Sequence, residues 1–484
     1  MANLSHHHDL WISLLSWLRD KHGMKTDIDS LAVECRDAPG AGKGLFALKD
    51  CSPSSALFTV PARALINVKT IGSLYPPGPE GHELSPVQMI SLHLFLHKPQ
   101  EGGISNDPLF GPYLSTLPRD FSGHPCTWSV NERLLKNDGG LERSLLQSLP
   151  PCVRRSLQQL VSRLWADWET VRSYLRLKQE IIQNLKTSRR TSAESLFSES
   201  PDNSLVQDFL WAWLNVNTRC IHYRLDSSIS SPKNMTLCPI LDFANHTPSH
   251  SDIIPQLRAS HSHALGGDYV FKSNSARTLR KNSEVFLRYG GHANRTLFIE
   301  YGFVNLWEEG SVERGEVSGE VDVQDLVEAL FENGPGFIAK VVKQILEDEG
   351  YWGDWTIHSS PAPAHPSYRL ITALRLYHHL KQNMATHLSD PVPIVDEWRK
   401  ATLGETERIS DQNEECWRNS VADICESVIQ RAVDGTQAVK LLQNPHEDRI
   451  PDWSQWMQSI LLLWQEELEV SRRVLYSIRS GEEF

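Results

Sequence analysis

The sequence lacks an apolar run long enough to cross a membrane. The apolar segment near its start, Leu10 to Leu18, is too short and too interrupted for a signal peptide or a membrane span. Apolar residues make up 40% and charged residues 22% of the 484 positions, which are ordinary proportions for a soluble globular protein. We therefore expect neither a membrane segment nor a secretory leader.

Cysteine pairs at the spacing of a zinc site are also missing. The eight cysteines are scattered, with no Cys-x-x-Cys pair and no Cys/His cluster at ligand spacing. Such scattered thiols are typical of reduced proteins, so we expect a cytoplasmic or nuclear location. His6, His7 and His8 could bind a metal weakly, but a solvated N-terminal tail is the better interpretation. We therefore predict no metal site.

Basic residues are fewer than acidic residues. The sequence has 48 Lys and Arg and 60 Asp and Glu, which gives a net charge of −12. This balance argues against general nucleic-acid binding and leaves room for a local acidic groove that attracts a basic peptide. No internal repeat is strong enough to indicate a solenoid. A chain of 484 residues is too long for one ordinary core, so we expect roughly two or three domains.

The most informative stretch runs from Leu237 to Val304. An apolar run there ends in Asp242, Asn245 and His246, whose carboxylate, amide and imidazole groups can hydrogen-bond a polar ligand. About forty residues later, the strand-like apolar segment Val285 to Tyr289 is followed by Gly290 and Gly291. After the Tyr-Gly pair at Tyr289, a second Tyr-Gly pair follows at Tyr301. A phenol at a chain bend can reach into a pocket, so we predict a functional site in this stretch.

A glycine-rich segment, Pro39 to Leu48, lies much earlier in the chain. Three glycines in five positions allow positive φ angles and a close approach of backbone to a ligand. The segment leads into an apolar strand and not into a helix, which argues against a Rossmann or P-loop phosphate site. Taken alone, it is better interpreted as a plain hairpin turn.

Together and in this order, the segments resemble the motifs of a SET domain, the fold of S-adenosylmethionine-dependent protein lysine methyltransferases. Gly42 to Ala47 resembles the first motif, Gly-x-Gly-Leu-x-Ala. Asn245-His246 and Tyr301-Gly302-Phe303 resemble the two segments that pack in a pseudoknot around the cofactor. The variant resembles the split-SET branch, typified by the Rubisco large-subunit lysine methyltransferase and its fungal and animal relatives.

The resemblance implies a role for each motif residue. It implies that Tyr301 is catalytic, with a hydroxyl that orients the substrate amine. The implied S-adenosylmethionine contacts are Ala41, Gly42, Lys43, Asn245 and His246, and the implied substrate contacts are Arg219, Asp242, Tyr289 and Phe303. From the residues alone, the aromatic members could equally belong to the core, and Arg219 could be an ordinary surface residue.

The predicted fold class is α+β. The resemblance implies a SET β-core of short strands with a pseudoknot, interrupted by a helical insert at about 68–200. This split SET domain covers 1–310, and an all-α domain resembling the Rubisco methyltransferase substrate-binding domain covers 311–484. Apolar residues at helical spacing predict helices over 9–20, 86–97, 157–185, 209–219, 337–346, 367–380, 416–442 and 453–474. The Ser-, Arg- and Glu-rich segment 187–204 is predicted to be an exposed loop.

The leading hypothesis is methyl transfer from S-adenosylmethionine to a lysine amine in a non-histone protein, which would present a lysine-containing segment. Free lysine has a pKa of about 10.4, and a desolvated channel beside a sulfonium cation lowers it, so no strong side-chain base is required. Two alternatives stay open: a protein histidine methyltransferase, and an inert SET-fold module that binds peptides. Tyr301 favours lysine. The inert module stays open because relatives often carry Glu where this chain has Ala41.

Overall fold

The computed structural model describes residues 2–78, 81, 83–100, 103–135, 140–185, 196, 202–257, 267–307, 318–334, 336–383, 392–443 and 453–484. Two compact units are present. The first unit comprises Met1–Ser122 and Leu160–His292, and the second unit comprises Gly123–Gln159 and Ala293–Phe484. The predicted division of the chain into 1–310 and 311–484 stays a prediction.

The strands are short and pair antiparallel. Those of the first unit are β1 (Val33–Ala38), β2 (Gly42–Ala47), β3 (Ala56–Val60), β4 (Ile221–His222), β5 (Met235–Thr236), β6 (Ile253–Leu257) and β7 (Tyr269–Ser273). β1 pairs with β2, β4 pairs with β5, and β7 lies between β3 and β6. Those of the second unit are β8 (Glu320–Asp322), β9 (Thr356–His358) and β10 (His365–Pro366), with β9 in the centre.

Helices make up most of the described chain. They are α1 (Ala2–His22), α2 (Val68–Ile71), α3 (Pro86–Leu96), α4 (Gly111–Thr116), α5 (Pro125–Leu135), α6 (Leu141–Gln147), α7 (Pro151–Leu177), α8 (Gln179–Gln183), α9 (Asn203–Arg219), α10 (Asn294–Tyr301), α11 (Gln324–Glu332), α12 (Gly336–Asp348), α13 (Tyr368–Asn383), α14 (Val392–Thr402), α15 (Asp411–Gln443) and α16 (Trp453–Arg479). Within the described residues, no helix is long and apolar enough to cross a membrane.

Local sequence signals set several helix ends. α3 begins at a capping box, in which the Ser85 hydroxyl accepts from the Gln88 backbone while the Gln88 side chain accepts from the Ser85 backbone. α9 begins where the Asp202 carboxylate accepts a hydrogen bond from the backbone N–H of Ser204 at 3.1 Å. Buried aromatic residues of the two helices then pack together, with the rings of Phe95 and Phe209 6.1 Å apart.

The predicted α+β class with a helical C-terminal region is confirmed, and that region also contains the small sheet β8–β10. The four helices predicted beyond residue 310 correspond to α12, α13, α15 and α16. The single helix predicted over 157–185 is wrong in its bounds, because α7 begins at Pro151 and ends at Leu177, and Lys178 separates it from α8. Most of the predicted exposed loop 187–204 lies outside the described residues.

Two adjacent carboxyls are buried in the second unit, on α16. Glu466 accepts hydrogen bonds from the Asn294 side chain at 2.6 Å and from the Glu320 backbone at 3.3 Å. The Cys152 thiol donates to Glu467 at 3.1 Å. Burial raises the pKa of Glu466 and that of Glu467 to about 7 each. Both groups therefore hold their protons to an unusually high pH.

These buried carboxyls predict a stability that falls as the pH rises. A free glutamate ionises near pH 4.5, whereas Glu467 in the folded chain ionises near pH 7. Between these values the folded state binds more protons than the unfolded state, so the free energy of unfolding decreases with increasing pH. Glu467→Gln removes one such group. We expect it to match the wild type at pH 5 and to exceed it at pH 8 by on the order of 1–3 kcal/mol.

Urea unfolding at both pH values measures this difference. Glu469→Gln is the matched control, because Glu469 lies on the same helix, is only partly buried and pairs with Arg473 at 2.8 Å. The pH slope of Glu467→Gln is compared with that of this control as well as with that of the wild type. An equal slope in wild type and Glu467→Gln would contradict the assignment.

The end of α10 depends on a glycine. Gly302 has a φ of +84° and donates its backbone N–H to the Phe298 carbonyl at 3.0 Å, which closes the helix in a left-handed cap. A Cβ atom at this position would lie 3.0 Å from Cδ2 of His124. The His124 ring is buried, and burial lowers its pKa to about 4. The ring that packs against Gly302 is therefore uncharged at neutral pH.

Gly302→Ala should therefore destabilise the chain by two effects. The left-handed backbone costs about 1–2 kcal/mol for a residue with a Cβ atom, and the contact with His124 adds to this. Gly350→Ala is the matched control, because Gly350 has a φ of +74° and open space around its Cβ position. We expect thermal unfolding to show a clearly larger fall in Tm for Gly302→Ala. Equal falls would mean that His124 does not constrain this helix end.

Candidate active site

The glycine-rich segment forms the turn between β1 and β2. Gly40 and Gly42 have φ angles of +76° and +75°, which few other residues adopt without strain. A Cβ atom added at either glycine would meet nothing within 4 Å, so the turn has an open side. The backbone N–H of Lys43 donates to the Ala41 carbonyl at 3.0 Å, and the Lys43 side chain pairs with Asp37.

Asn245 connects this turn to two other segments. Its side-chain nitrogen donates to the Lys43 carbonyl at 2.9 Å and to Oε1 of Glu284 at 2.7 Å. Its backbone carbonyl accepts from the Leu287 N–H at 2.8 Å. A Cβ atom at Gly44 would lie 2.5 Å from the Glu284 carboxylate, so a larger residue would have to displace that carboxylate from the junction. The turn, the Asn-His pair and residues 284–287 are thus held together by one side chain.

Sequence reasoning missed Glu284. The available signal was an acidic residue directly before the strand-like apolar segment that begins at Val285. That segment is extended and forms isolated bridges, Phe46 with Glu284 and His246 with Leu287, and is not a continuous strand.

His246 lies against Tyr289. The His246 Nδ1 atom accepts from the Tyr289 backbone N–H at 3.2 Å, the Tyr289 hydroxyl donates to the Ala244 carbonyl at 2.9 Å, and the two ring centroids are 5.1 Å apart. Burial, with the nearby positive charges of His292 and Arg288, lowers the pKa of His246 to about 4. The imidazole is therefore uncharged at neutral pH and places no positive charge in the site.

Arg219 and Asp242 pair with each other beneath the Asn-His segment. Arg219 donates to the backbone carbonyl of Asp242 and lies 3.8 Å from its carboxylate, which also accepts from the Tyr113 hydroxyl at 3.1 Å. Burial raises the pKa of Asp242 to about 6, although Arg219 and Tyr113 act in the opposite direction. Oδ1 of Asp242 and Nε of Arg219 are buried without a hydrogen-bond partner. Tyr113 was not among the predicted site residues.

Tyr301 and Phe303 belong to the second unit. Tyr301 is the last residue of α10, so it does lie at a chain bend, and its ring centroid is 6.1 Å from that of Phe303. Burial and the charge of Glu300 raise the pKa of Tyr301, so its hydroxyl stays protonated at neutral pH.

Sequence reasoning also missed Asn294, whose side chain forms hydrogen bonds that position the segment containing Tyr301 and Phe303. Its side-chain oxygen accepts from the Asn305 N–H at 2.7 Å, and its nitrogen donates to Glu466 at 2.6 Å. The first residue of α10 therefore holds the chain just beyond Phe303. An asparagine at the start of a helix that precedes Tyr-Gly-Phe was the signal in the sequence.

The structure thus brings the predicted residues together in groups. Three groups lie in the first unit: the turn Ala41–Lys43 with Asn245, His246 with Tyr289, and Asp242 with Arg219. The second unit contains Tyr301 with Phe303. The roles assigned to these residues stay predictions.

Comparison with known sequences finds relatives, although no family model matches the chain. The chain is 25% identical over 487 residues to SET domain-containing protein 4 of Homo sapiens, covering 98% of this chain and 92% of that protein. It is 30% identical over 247 residues to ribosomal lysine N-methyltransferase 2 of Saccharomyces cerevisiae, covering 48% of this chain and 46% of that protein.

Solved structures are similar over almost the whole chain. The SET domain of LSMT bound to lysine and AdoHcy matches with a TM-score of 0.58 at 15% identity, covering 98% of this chain and 92% of that chain. Rubisco LSMT bound to AdoMet matches with a TM-score of 0.57 at 17% identity and the same coverage. Likeness at this identity establishes the fold, and the human relative is named for the same domain. The chain therefore has the SET-domain fold of these LSMT structures, and its relatives match the split-SET, Rubisco large-subunit methyltransferase-like family that its motifs resemble.

Proposed function

We propose that this enzyme, an S-adenosylmethionine-dependent lysine methyltransferase of the SET type, acts on a lysine in a non-histone protein. The junction at Asn245 carries the proposal, because it joins the glycine turn, the Asn-His pair and residues 284–287 into one site. The similar yeast protein is a ribosomal lysine N-methyltransferase, and similar LSMT structures hold lysine with AdoHcy. A non-histone substrate agrees with both. We also propose a reducing compartment, the cytoplasm or nucleus, because the eight cysteines are unpaired.

The residues of the first unit fit the amino-acid end of S-adenosylmethionine. The Asn245 nitrogen already donates to two acceptors, so its carbonyl oxygen is the group left to accept from an ammonium. The open side of the β1–β2 turn admits a ligand to the backbone of Ala41, Gly42 and Lys43. An uncharged His246 does not repel a cation. When bound, S-adenosylmethionine supplies an electrophilic methyl group on a sulfonium.

The chain must also deliver a neutral, oriented amine. Neutralising a lysine with a pKa of about 10.4 near pH 7 costs roughly 4–5 kcal/mol in water, and a desolvated site reduces this cost. The protonated Tyr301 hydroxyl is suited to hold the amine in line for attack, because it can donate and accept hydrogen bonds. The aromatic ring of Tyr289 in the first unit and that of Phe303 in the second are each suited to contact an alkyl-ammonium group.

Arg219 and Asp242 act on this account through the backbone that they support. Arg219 donates to the Asp242 carbonyl, three residues before Asn245, and so helps to fix the Asn-His segment. The carboxylate, with one buried oxygen lacking a partner, remains a candidate contact for a substrate amine.

Tyr301→Phe should slow methyl transfer by about 100-fold, the loss typical for removing one hydrogen-bond donor from a transition state. Binding of S-adenosylmethionine should change little. The assay incubates purified chain with radiolabelled S-adenosylmethionine and a fractionated cell extract, then locates the label after hydrolysis. Tyr476→Phe is the matched control, since Tyr476 lies in the same unit and is 73% exposed.

Each outcome of this assay has a meaning. Label on lysine that is strongly reduced by Tyr301→Phe supports the proposal. Label on histidine would identify a histidine methyltransferase. Binding without any label would identify an inert binding module.

Glu284→Ala should weaken S-adenosylmethionine binding by about tenfold. It leaves the Asn245 amide without one acceptor, and an unpaired donor costs roughly 1–3 kcal/mol, so the amide is expected to rotate. Glu284→Gln retains an acceptor oxygen and should bind within about threefold of wild type. Calorimetric titration measures all three affinities. Equal weakening in both variants would show that the charge of Glu284 matters and not its hydrogen bond to Asn245.

A further inference from the structure

A second cluster of potential ligands lies in the first unit, on residues that the proposed reaction does not use. His93 and His97 are one helical turn apart, on α3 and at its C-cap, and Asp107 follows ten residues later. Each offers one ligand atom, and the three atoms lie within 4.8 Å of one another. His93 and Asp107 are buried, whereas His97 is partly exposed. The cluster is therefore buried at His93 and Asp107 and partly accessible to solvent at His97.

Neighbouring hydrogen bonds hold the ligand groups in place. The Asp107 carboxylate accepts from the backbone N–H groups of Leu109 at 3.0 Å and Phe110 at 3.2 Å. The Ser105 hydroxyl donates to the His97 carbonyl at 2.7 Å, which ties the loop carrying Asp107 to the end of α3. These contacts fix the carboxylate opposite the helix.

The arrangement around His93 matches the outer shell of a metal site. Its Nδ1 atom is 2.9 Å from the Tyr75 hydroxyl, and its Nε2 atom is 2.9 Å from Oδ2 of Asp107. Metal-bound histidines usually donate their other ring N–H to such an oxygen partner. In the tautomer with the ring proton on Nδ1, that N–H donates a hydrogen bond to the Tyr75 oxygen and Nε2 presents a lone pair.

The separation of His93 and Asp107 is close to that of two ligands on a tetrahedral ion. Zinc bonds of about 2.0–2.1 Å place neighbouring ligand atoms about 3.3 Å apart. The gap of 2.9 Å between His93 and Asp107 would have to open by only a few tenths of an ångström. Two imidazoles and one carboxylate form a borderline donor set that suits zinc better than magnesium or calcium, which prefer oxygen ligands.

We propose that His93, His97 and Asp107 bind one divalent transition-metal ion, with zinc the best match, and with water completing the coordination. The ion would fasten the C-terminal end of α3 to the loop of residues 103–110. The expectation of no metal site is revised by this proposal. It considered cysteine spacing, whereas the signal was His-x-x-x-His on a predicted helix with an acidic ligand distant in sequence.

The experiment uses the full chain with His6, His7 and His8 replaced by alanine, so that the N-terminal histidines cannot contribute. After treatment with a chelator, the protein is titrated with Zn²⁺ by calorimetry. It is also titrated with Co²⁺, whose visible absorption reports tetrahedral coordination. We expect one ion per chain and a higher Tm with zinc than without it.

His97→Ala should weaken zinc binding by more than about 100-fold, which exceeds the ~10–100-fold typical of losing an outer-shell partner. Because His97 is partly exposed, this variant should remain folded, and circular dichroism checks this. His250→Ala, an exposed histidine of the same unit, is the matched control and should bind as tightly as the parent. Absence of stoichiometric binding, or equal binding by His97→Ala, would overturn the proposal and leave a hydrogen-bonded buried triad.

Discussion

The proposed site depends first on the side-chain amide of Asn245. Its nitrogen donates to a backbone carbonyl of the β1–β2 turn and to Glu284, while its own backbone carbonyl pairs with Leu287. The hydrogen bond to Lys43 joins residues 202 positions apart. Because polar groups that lose contact with water are costly when unpaired, these hydrogen bonds favour keeping the three segments together. This junction fixes the open glycine turn, which is proposed to contact the ligand, to the rest of the proposed site.

Three of the ionisable groups within the predicted motifs are uncharged or paired. His246 has a pKa lowered to about 4, Asp242 faces Arg219, and the Tyr301 hydroxyl stays protonated. A cationic co-substrate and a lysine amine that must lose its proton both favour such surroundings, because additional positive charge would repel the first. The proposed methyl transfer therefore rests on desolvation and orientation, and the residues predicted for the site include no strong base.

The sequence was most informative where periodicity or a short motif is local. Helical spacing located the C-terminal helices, and Gly-x-Gly, Asn-His and Tyr-Gly-Phe together indicated the fold. Hydrogen-bond partners that only the tertiary structure brings together were missed, because no local pattern indicates them. Glu284 lies 39 residues from Asn245, Tyr113 lies 129 residues from Asp242, and Asn294 lies 172 residues from Glu466. The break between α7 and α8 at Lys178 was missed because the helical spacing of apolar residues continues across it.

The most direct test of the central claim is calorimetric titration of S-adenosylmethionine into the wild type and into Asn245→Ala, with circular dichroism to confirm that both are folded. Asn245 is proposed both to assemble the turn and to contact the ligand. We therefore predict one site per chain in the wild type and a loss of affinity of at least about 100-fold in the variant, combining the loss of two hydrogen-bonded partners with that of the ligand contact. A folded Asn245→Ala that binds as tightly as the wild type would contradict this account, and a wild type that does not bind at all would remove the proposed site.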